Sequence, residues 1–203
     1  LFVKLYDLLI GPMTINKFSK VAIIAPWEKE YLDRINVRSG NIIYLPNGIS
    51  PEYFVKKDKK ERDIILFLGR ISPIKDIETL LRAMNLIKDK TLHLNLVGPI
   101  EESYGRNLRK IANNLGINKS VSFKGPVYNT QDKINLLDES KMFILPSKKE
   151  GLPQALIEAM ARGKIVIAAN NQGCNALVKE GFNGYLFNIG DEKDLAAKIN
   201  EAV

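Results

Sequence analysis

From residue 63 onward the sequence repeats one unit: a short, unbroken apolar run, often closing on glycine, followed by a stretch with apolar residues at helical spacing. The runs are DIILFLG (63–69), TLHLNLVG (91–98), SVSFKG (120–125), KMFILPS (141–147), KIVIAA (164–169) and GYLF (184–187). Runs of this kind suit strands covered on both faces. Between them Ile77, Leu80, Leu81, Met84 and Ile87 make one helical stripe, and Leu108, Ile111, Ala112 and Leu115 make another, stopped by Gly116. Further helices are predicted through Ile134 and Leu137, within 153–162, near 174–179 and from about 192. Strands separated by helices require right-handed crossovers and hence a parallel sheet. The expected fold class is α/β, a Rossmann-like parallel sheet with helices on both faces.

The first 45 residues fit this pattern less well. VAIIAP (21–26) and NIIYLPNG (41–48) read as strands with a helix through Tyr31 and Leu32 between them, but the remaining layers of an α/β domain are missing ahead of them. Residues 1–45 are therefore expected to be the tail of an N-terminal domain and its linker, with PNGIS (46–50) as hinge and 46–203 as the C-terminal domain. The last helix stops abruptly at Val203, as if the chain were cut at both ends.

Composition narrows the function classes. With 203 residues there is room for one good core, or one domain and a fragment of another. No apolar run approaches the ~20 residues that span a bilayer, and LFVKLYDLLIG (1–11) lacks the small-residue cleavage site of a signal peptide. A single cysteine, Cys174, allows no intrachain disulfide and fits a reducing cytoplasm. One His and one Cys give no four-ligand zinc spacing, so no metal site is expected. The net charge of +7 could attract phosphorylated ligands, nucleic acid or acidic membrane. Its densest run, VKKDKKERD (55–63), is interleaved with acids and reads as a solvated loop. No aromatic-rich RNA motif or zinc finger accompanies it, so nucleic acid is not an expected partner.

Three strand ends carry candidate chemistry. In GRISPIKD (69–76) Gly69 permits a tight turn, while Arg70 and Lys75 offer a guanidinium fork and a point charge near a helix start, both suited to a diphosphate. A pair of solubilising cations would look the same, and Pro73 would then simply start the helix. In LVGPI (96–100) Gly98 ends a strand and lets a ligand approach the backbone. In PSKKEGLPQALIEAMARG (146–163), Leu152, Ala155, Leu156, Ala159 and Met160 share one helix face, and Glu158 is expected to point well away from it. Glu150 precedes that helix. The rise of ~1.5 Å per helical residue puts the two carboxylates on the order of 10 Å apart, too far for a glycosidase pair at about 5–5.5 Å. The spacing suits an extended ligand held at two points, with the amides of Gly151 and Leu152 at the helix start facing phosphate. The plainer alternative is a helix-capping Glu150 and a surface Glu158. His93 alternates with Leu92 and Leu94 and is expected to be packed or at a sheet edge. No GxGxxG or Walker lysine motif is present, and no histidine is placed to activate Cys174.

Taken in order, PNGIS, GRISPIKD, LVGP, FKGPV and PSKKEGLPQALIEAMARG resemble the C-terminal donor domain of retaining GT-B glycosyltransferases, the large group 1 family that includes mannosyl-, glucosyl- and galactosyltransferases and glycogen synthase. The similarity covers roughly 41–203, and Glu150 and Glu158 reproduce the family's paired glutamates with seven residues between. The resemblance implies that Arg70 and Lys75 bind the donor diphosphate and that Glu150 meets sugar hydroxyls. It places Glu158 on the ribose hydroxyls, the backbone at Val127 on the base, and Gly69, Gly98, Gly151, Leu152 and Pro153 along the donor. It implies a hexose moved from a nucleoside-diphosphate sugar, such as a UDP-sugar or GDP-mannose, to a hydroxyl with retention and with neither metal nor cofactor.

The acceptor, a sugar, lipid or small molecule, would be met by the N-terminal domain, leaving this chain to bind donor with little or no turnover. A cytoplasmic enzyme with peripheral membrane contact is compatible with the basic balance. There are departures: Asp76 stands where a Gly usually follows the lysine and is expected to act as an N-cap, Ala176 replaces an acidic residue, and Ser50 replaces the hinge Asp. The alternatives are a nonenzymatic module binding a nucleotide sugar or an acidic surface, and an epimerase or phosphorylase of the same fold.

Overall fold

The computed structural model describes residues 10–55 and 60–203. Residues 1–9 of the apolar opening and 56–59 of the basic run lie outside the described residues. The chain divides after Gly48 into two compact units.

The first unit holds α1 (Gly11–Ile15), β1 (Val21–Ile23), α2 (Lys29–Arg34) and β2 (Ile42–Tyr44). β1 and β2 pair in parallel with Val21 opposite Ile42, so both predicted strands exist but are three residues long. The Asn16 side chain ties the unit together, donating to the Asn36 carbonyl at 2.9 Å and accepting from the Arg38 amide at 3.1 Å.

In the second unit β3 (Arg62–Leu68), β4 (His93–Val97), β5 (Val121–Lys124), β6 (Ser140–Leu145), β7 (Ile165–Ala169) and β8 (Tyr185–Phe187) form one sheet in the order β5-β4-β3-β6-β7-β8. Every pairing is parallel, which confirms the expected α/β, Rossmann-like class. Between the strands run α3 (Ile77–Leu86), α4 (Glu102–Asn114), α5 (Thr130–Glu139), α6 (Gln154–Ala161), α7 (Gln172–Asn175) and finally α8 (Glu192–Ala202). The apolar runs of the four inner strands are buried for the reason the sequence suggests, Phe67 and Phe143 sitting in strands covered on both sides, whereas the edge strands β5 and β8 are only partly buried. The predicted stripe of Ile77, Leu80, Leu81, Met84 and Ile87 is wholly buried, and each such side chain contributes about 1.5–3 kcal/mol by leaving water. Polar residues set the helix starts: Asn129 accepts from the Gln131 and Asp132 amides, and Asp191 from those of Lys193 and Asp194.

Two boundaries differ from expectation. The short helix expected near 174–179 is α7 at Gln172–Asn175, because the Asn171 side chain accepts from the Cys174 amide and fixes the start earlier. Pro73 opens a 3-10 turn, Pro73–Lys75, rather than the α-helix, which begins at Ile77. Among the described residues no helix is long and apolar enough to cross a membrane.

The strand order reverses between β3 and β6. From β3 the chain builds outward through β4 to β5, then returns to lay β6 on the other side of β3. At such a reversal the two flanking loops leave the sheet in opposite directions and open a crevice beyond the strand ends. The loops there are GRISPIKD after β3 and PSKKEGLP after β6.

Candidate donor-binding site

The strand ends beside this crevice approach each other unusually closely. Gly69 and Gly98 follow β3 and β4 with φ of 153° and 149°, and a Cβ on Gly98 would stand 1.9 Å from the Gly69 carbonyl oxygen. Only glycine lets the two backbones meet there. A cleft of about 210 Å³ opens over them, lined also by Arg70, Val127, Tyr128, Lys133, Ala155 and Glu158. Five predicted residues, Gly69, Arg70, Gly98, Val127 and Glu158, thus converge on one cavity. A second hollow of about 240 Å³, bounded by Arg109, Asn118, Val121 and Phe123, carries none of them.

Glu158 decides between the two alternatives left open for it. It does not point out to solvent: it is buried at 7% exposure, within α6 and facing the cleft. Burial raises its carboxyl above the usual range, opposed by the nearby Lys133 and by a hydrogen bond from the Tyr53 hydroxyl. Burial, followed by the charge of Glu158, pushes the Tyr53 phenol up in turn. The surface alternative for Glu158 is therefore excluded. A buried carboxylate with one protein donor retains capacity to accept from a ligand hydroxyl.

The remaining predicted residues lie on the loops flanking the crevice. Lys75 Nζ pairs with Glu150 Oε1 at 2.5 Å, joining the loop after β3 to the loop after β6. A second clasp runs alongside, with Lys148 Nζ 3.3 Å from Asp76 Oδ1 and the Lys148 amide donating to the Ile74 carbonyl at 2.9 Å. Asp76 stands at the N-cap position of α3 but caps no amide with its side chain. It adopts φ 51°, and its Oδ2 accepts from Thr79 Oγ1 at 2.8 Å. The left-handed conformation explains why glycine suits this position and why Asp, which tolerates it better than most residues, can replace it.

α6 starts at Gln154 with Pro153 as N-cap, so Gly151 and buried Leu152 belong to the loop before the helix rather than to its first turn. The amides at the helix start are those of Gln154 and Ala155. The loop rests on α7: a Cβ on Gly173 would lie 2.5 Å from the Gly151 carbonyl and 2.6 Å from that of Glu150. Beneath it Cys174 is fully buried, and burial, then the charge of Glu150, pushes its thiol up to about 12, so it is no nucleophile. His93 begins β4, at the opposite end of the sheet from Gly98, with Nε2 2.7 Å from Ser122 Oγ. Burial and the cations Lys124 and Arg62 lower its pKa.

Sequence reasoning missed Tyr53, Tyr128, Lys133 and Gly173. Tyr128 follows directly on Val127 and is 80% exposed at the cleft, a position that FKGPV alone could have suggested. Tyr53 and Gly173 left no comparable signal, because each acts through a contact distant in sequence. Among the described residues no cluster of three or more His, Cys, Asp or Glu side chains could hold a metal ion.

Residues 50–203 match the family model for glycosyl transferases group 1. The capsular polysaccharide biosynthesis glycosyltransferase CapH of Staphylococcus aureus is 33% identical over 168 residues, 76% of this chain and 46% of that protein. The N,N'-diacetylbacillosaminyl-diphospho-undecaprenol alpha-1,3-N-acetylgalactosaminyltransferase of Campylobacter jejuni is 25% identical over 166 residues, 82% of this chain and 42% of that protein. Among solved structures, Anabaena HepE in complex with UDP and glucose superposes with a TM-score of 0.84 at 22% identity, covering 95% of this chain and 56% of that one. The chain thus spans about half the length of these proteins.

Proposed function

The chain belongs to the glycosyl transferases group 1, and from that membership we propose that Ile49–Val203 is the donor half of an enzyme that transfers a hexose from a nucleoside-diphosphate sugar to an acceptor hydroxyl with retention. The observation that carries this reading is the convergence at the β3/β6 reversal of Arg70 and Lys75 on one loop, Glu150 on the other, and the buried Glu158 in the cleft. In the proposed complex the nucleoside lies over Gly69 and Gly98, with the base at the Val127 backbone and the ribose hydroxyls on Glu158. The diphosphate reaches Arg70 and Lys75, and Glu150 meets the sugar. As the bond from the anomeric carbon to phosphate breaks, negative charge grows on the leaving oxygen. Two fixed cations would offset it without a metal, and one well-placed donor of this kind is worth roughly 3–4 kcal/mol.

The acceptor is proposed to be met by parts of the whole protein outside Ile49–Val203, so this chain by itself would bind donor and turn over little. UDP is the nucleotide placed first, ahead of GDP, since the similar HepE fold was solved with UDP and glucose. A sugar or lipid-linked acceptor is favoured because the Campylobacter relative is named for an undecaprenol-linked one. That would bring a cytoplasmic enzyme against a membrane surface, to which a net charge of +7 is suited.

Calorimetric titration of the chain with UDP, GDP, ADP and CMP, repeated on Arg70→Ala, tests the reading. Binding of one nucleoside diphosphate that the substitution removes supports it. Absence of binding by all of them at millimolar concentration overturns it in favour of a nonenzymatic module.

A further inference from the structure

The cleft over Gly69 and Gly98 has two ends of different character. The strand order puts β4 between β5 and β3. With neighbouring strands about 4.8 Å apart, the ends of β5 and β3 stand roughly 10 Å from each other. Arg70 lines the cleft from the loop after β3, whereas Pro126, Val127, Tyr128 and Lys133 line it from the connection after β5 and the first turn of α5. That connection is fixed by its own hydrogen bonds. The Asn129 side chain accepts from the Gln131 and Asp132 amides, and the Lys133 amide donates to the Asn129 carbonyl at 3.2 Å. Lys133 is thereby held one turn beyond Asn129, half-buried beside the buried Ile134. Two features of this wall favour a ligand. Tyr128 keeps a large aromatic side chain 80% exposed at the cleft, and a cation at the fourth position of α5 opposes the helix macrodipole. An aromatic ring and a donor side by side are what proteins use to hold an unpaired nucleobase, the ring for its face and the donor for its edge.

We propose that this wall is the nucleobase subsite and that Lys133 selects the base, its ammonium donating to the exocyclic oxygen of a keto base, O4 of uracil or O6 of guanine. An ammonium donates and cannot accept. Cytosine and adenine carry an amino group at the same position, which sets donor against donor and leaves the ammonium unpaired. The Tyr128 ring stacks on any of the four bases and does not discriminate among them. The inference rests on the donor-binding reading of the cleft, which puts the base at the Val127 backbone, and it narrows the donor to a uridine or guanosine diphosphate sugar. The charge of Lys133 also acts on the Glu158 carboxyl, opposing the effect of burial, but a role through that carboxylate alone would be blind to the base.

The test is calorimetric titration of the 203-residue chain with UDP, CDP, GDP and ADP, repeated on Lys133→Met, which keeps an unbranched apolar stem and loses the ammonium. UDP and CDP, like GDP and ADP, share ribose and diphosphate and differ in the base. The parent chain is expected to bind the keto member of at least one pair about tenfold more tightly than its amino counterpart, the usual scale for a bond to a charged group. Lys133→Met is expected to bring that ratio below about twofold, chiefly by weakening the keto diphosphate, and Tyr128→Ala to weaken all bound diphosphates alike. Absence of a keto preference in the parent overturns the proposal. So does equal weakening of both members of a pair by Lys133→Met, which would assign Lys133 to Glu158 or to the diphosphate, and so does an unchanged affinity in Tyr128→Ala. Each of these results leaves the donor-binding reading standing, because nucleotide still binds. If the unsubstituted chain binds none of the four, that reading falls and this inference with it.

Discussion

Lys75 Nζ lies 2.5 Å from Glu150 Oε1, bridging 75 positions of sequence. The cation proposed for the diphosphate and the carboxylate proposed for the sugar are thus each other's partner in the unliganded protein, with side-chain exposures of 22% and 11%. A donor carrying both groups replaces this pair at both ends, whereas a nucleoside diphosphate alone competes with Glu150 for Lys75.

Glu150→Gln should therefore separate the two ligands. Release of Lys75 is expected to leave UDP binding unchanged or up to about fivefold tighter, since a partly exposed ion pair is worth roughly 0–1 kcal/mol. UDP-glucose is expected to lose whatever advantage it has over UDP. Calorimetry of both nucleotides on both proteins measures this, and an unaltered UDP-glucose to UDP ratio would remove Glu150 from the sugar subsite.

Arg70 is exposed, on the loop after β3. Arg70→Ala is expected to leave the melting temperature within the range of a surface change, about ±0.5 kcal/mol, while weakening diphosphate binding roughly 10- to 100-fold, as for a lost bond between charged groups. A melting curve beside a titration decides it.

Glu158 predicts a trade between stability and binding. Burial raises its carboxyl in the folded protein, so the folded state holds the proton more tightly than the unfolded chain. Stability is then greatest below the unfolded value and falls as pH rises towards the raised folded value. Glu158→Gln is expected to be more stable than the parent at neutral pH, with the difference vanishing in acid, and to bind nucleotide more weakly at neutral pH. Melting temperature followed across pH 4 to 8 in both proteins is the check, on a scale set by the ordinary glutamate pKa of about 4.3.

Gly173→Ala should disturb the site from behind. Its Cβ would fall 2.5 Å from the Gly151 carbonyl and must push the loop that carries Glu150. Overpacking of this kind costs about 1–3 kcal/mol, or roughly 2–4 °C of melting temperature per kcal/mol in a chain of this size. Nucleotide-sugar binding is expected to fall further than the lost stability explains, which titration well below the melting temperature would reveal.

Much of the molecule was legible without coordinates. Apolar runs such as DIILFLG and KMFILPS could be buried only in a sheet covered on both faces, and the helical stripe from Ile77 to Ile87 could have only one buried side. Loop chemistry was local enough to read as well: Gly69, Arg70, Gly98 and Val127 sit at strand ends because their motifs directly follow apolar runs, and they share one cleft. For Glu158 the cleft and the surface stayed open alternatives, because helix periodicity ranks faces by the apolar neighbours on the same helix, whereas the choice between them depends on residues of other elements that line the cleft, Lys133 among them.

The alternation of strand and helix, the parallel sheet, and the identity of the loops at its C-terminal edge all follow from the period and sign of side chains close together along the chain. The position of β3 between β4 and β6 emerges only from long-range packing. That order sets Lys75 against Glu150, Lys148 against Asp76, Gly173 beneath Gly151 and Tyr53 against Glu158. Each of these contacts joins segments distant along the chain, and their energy becomes available only once the apolar core has ordered the strands that carry them.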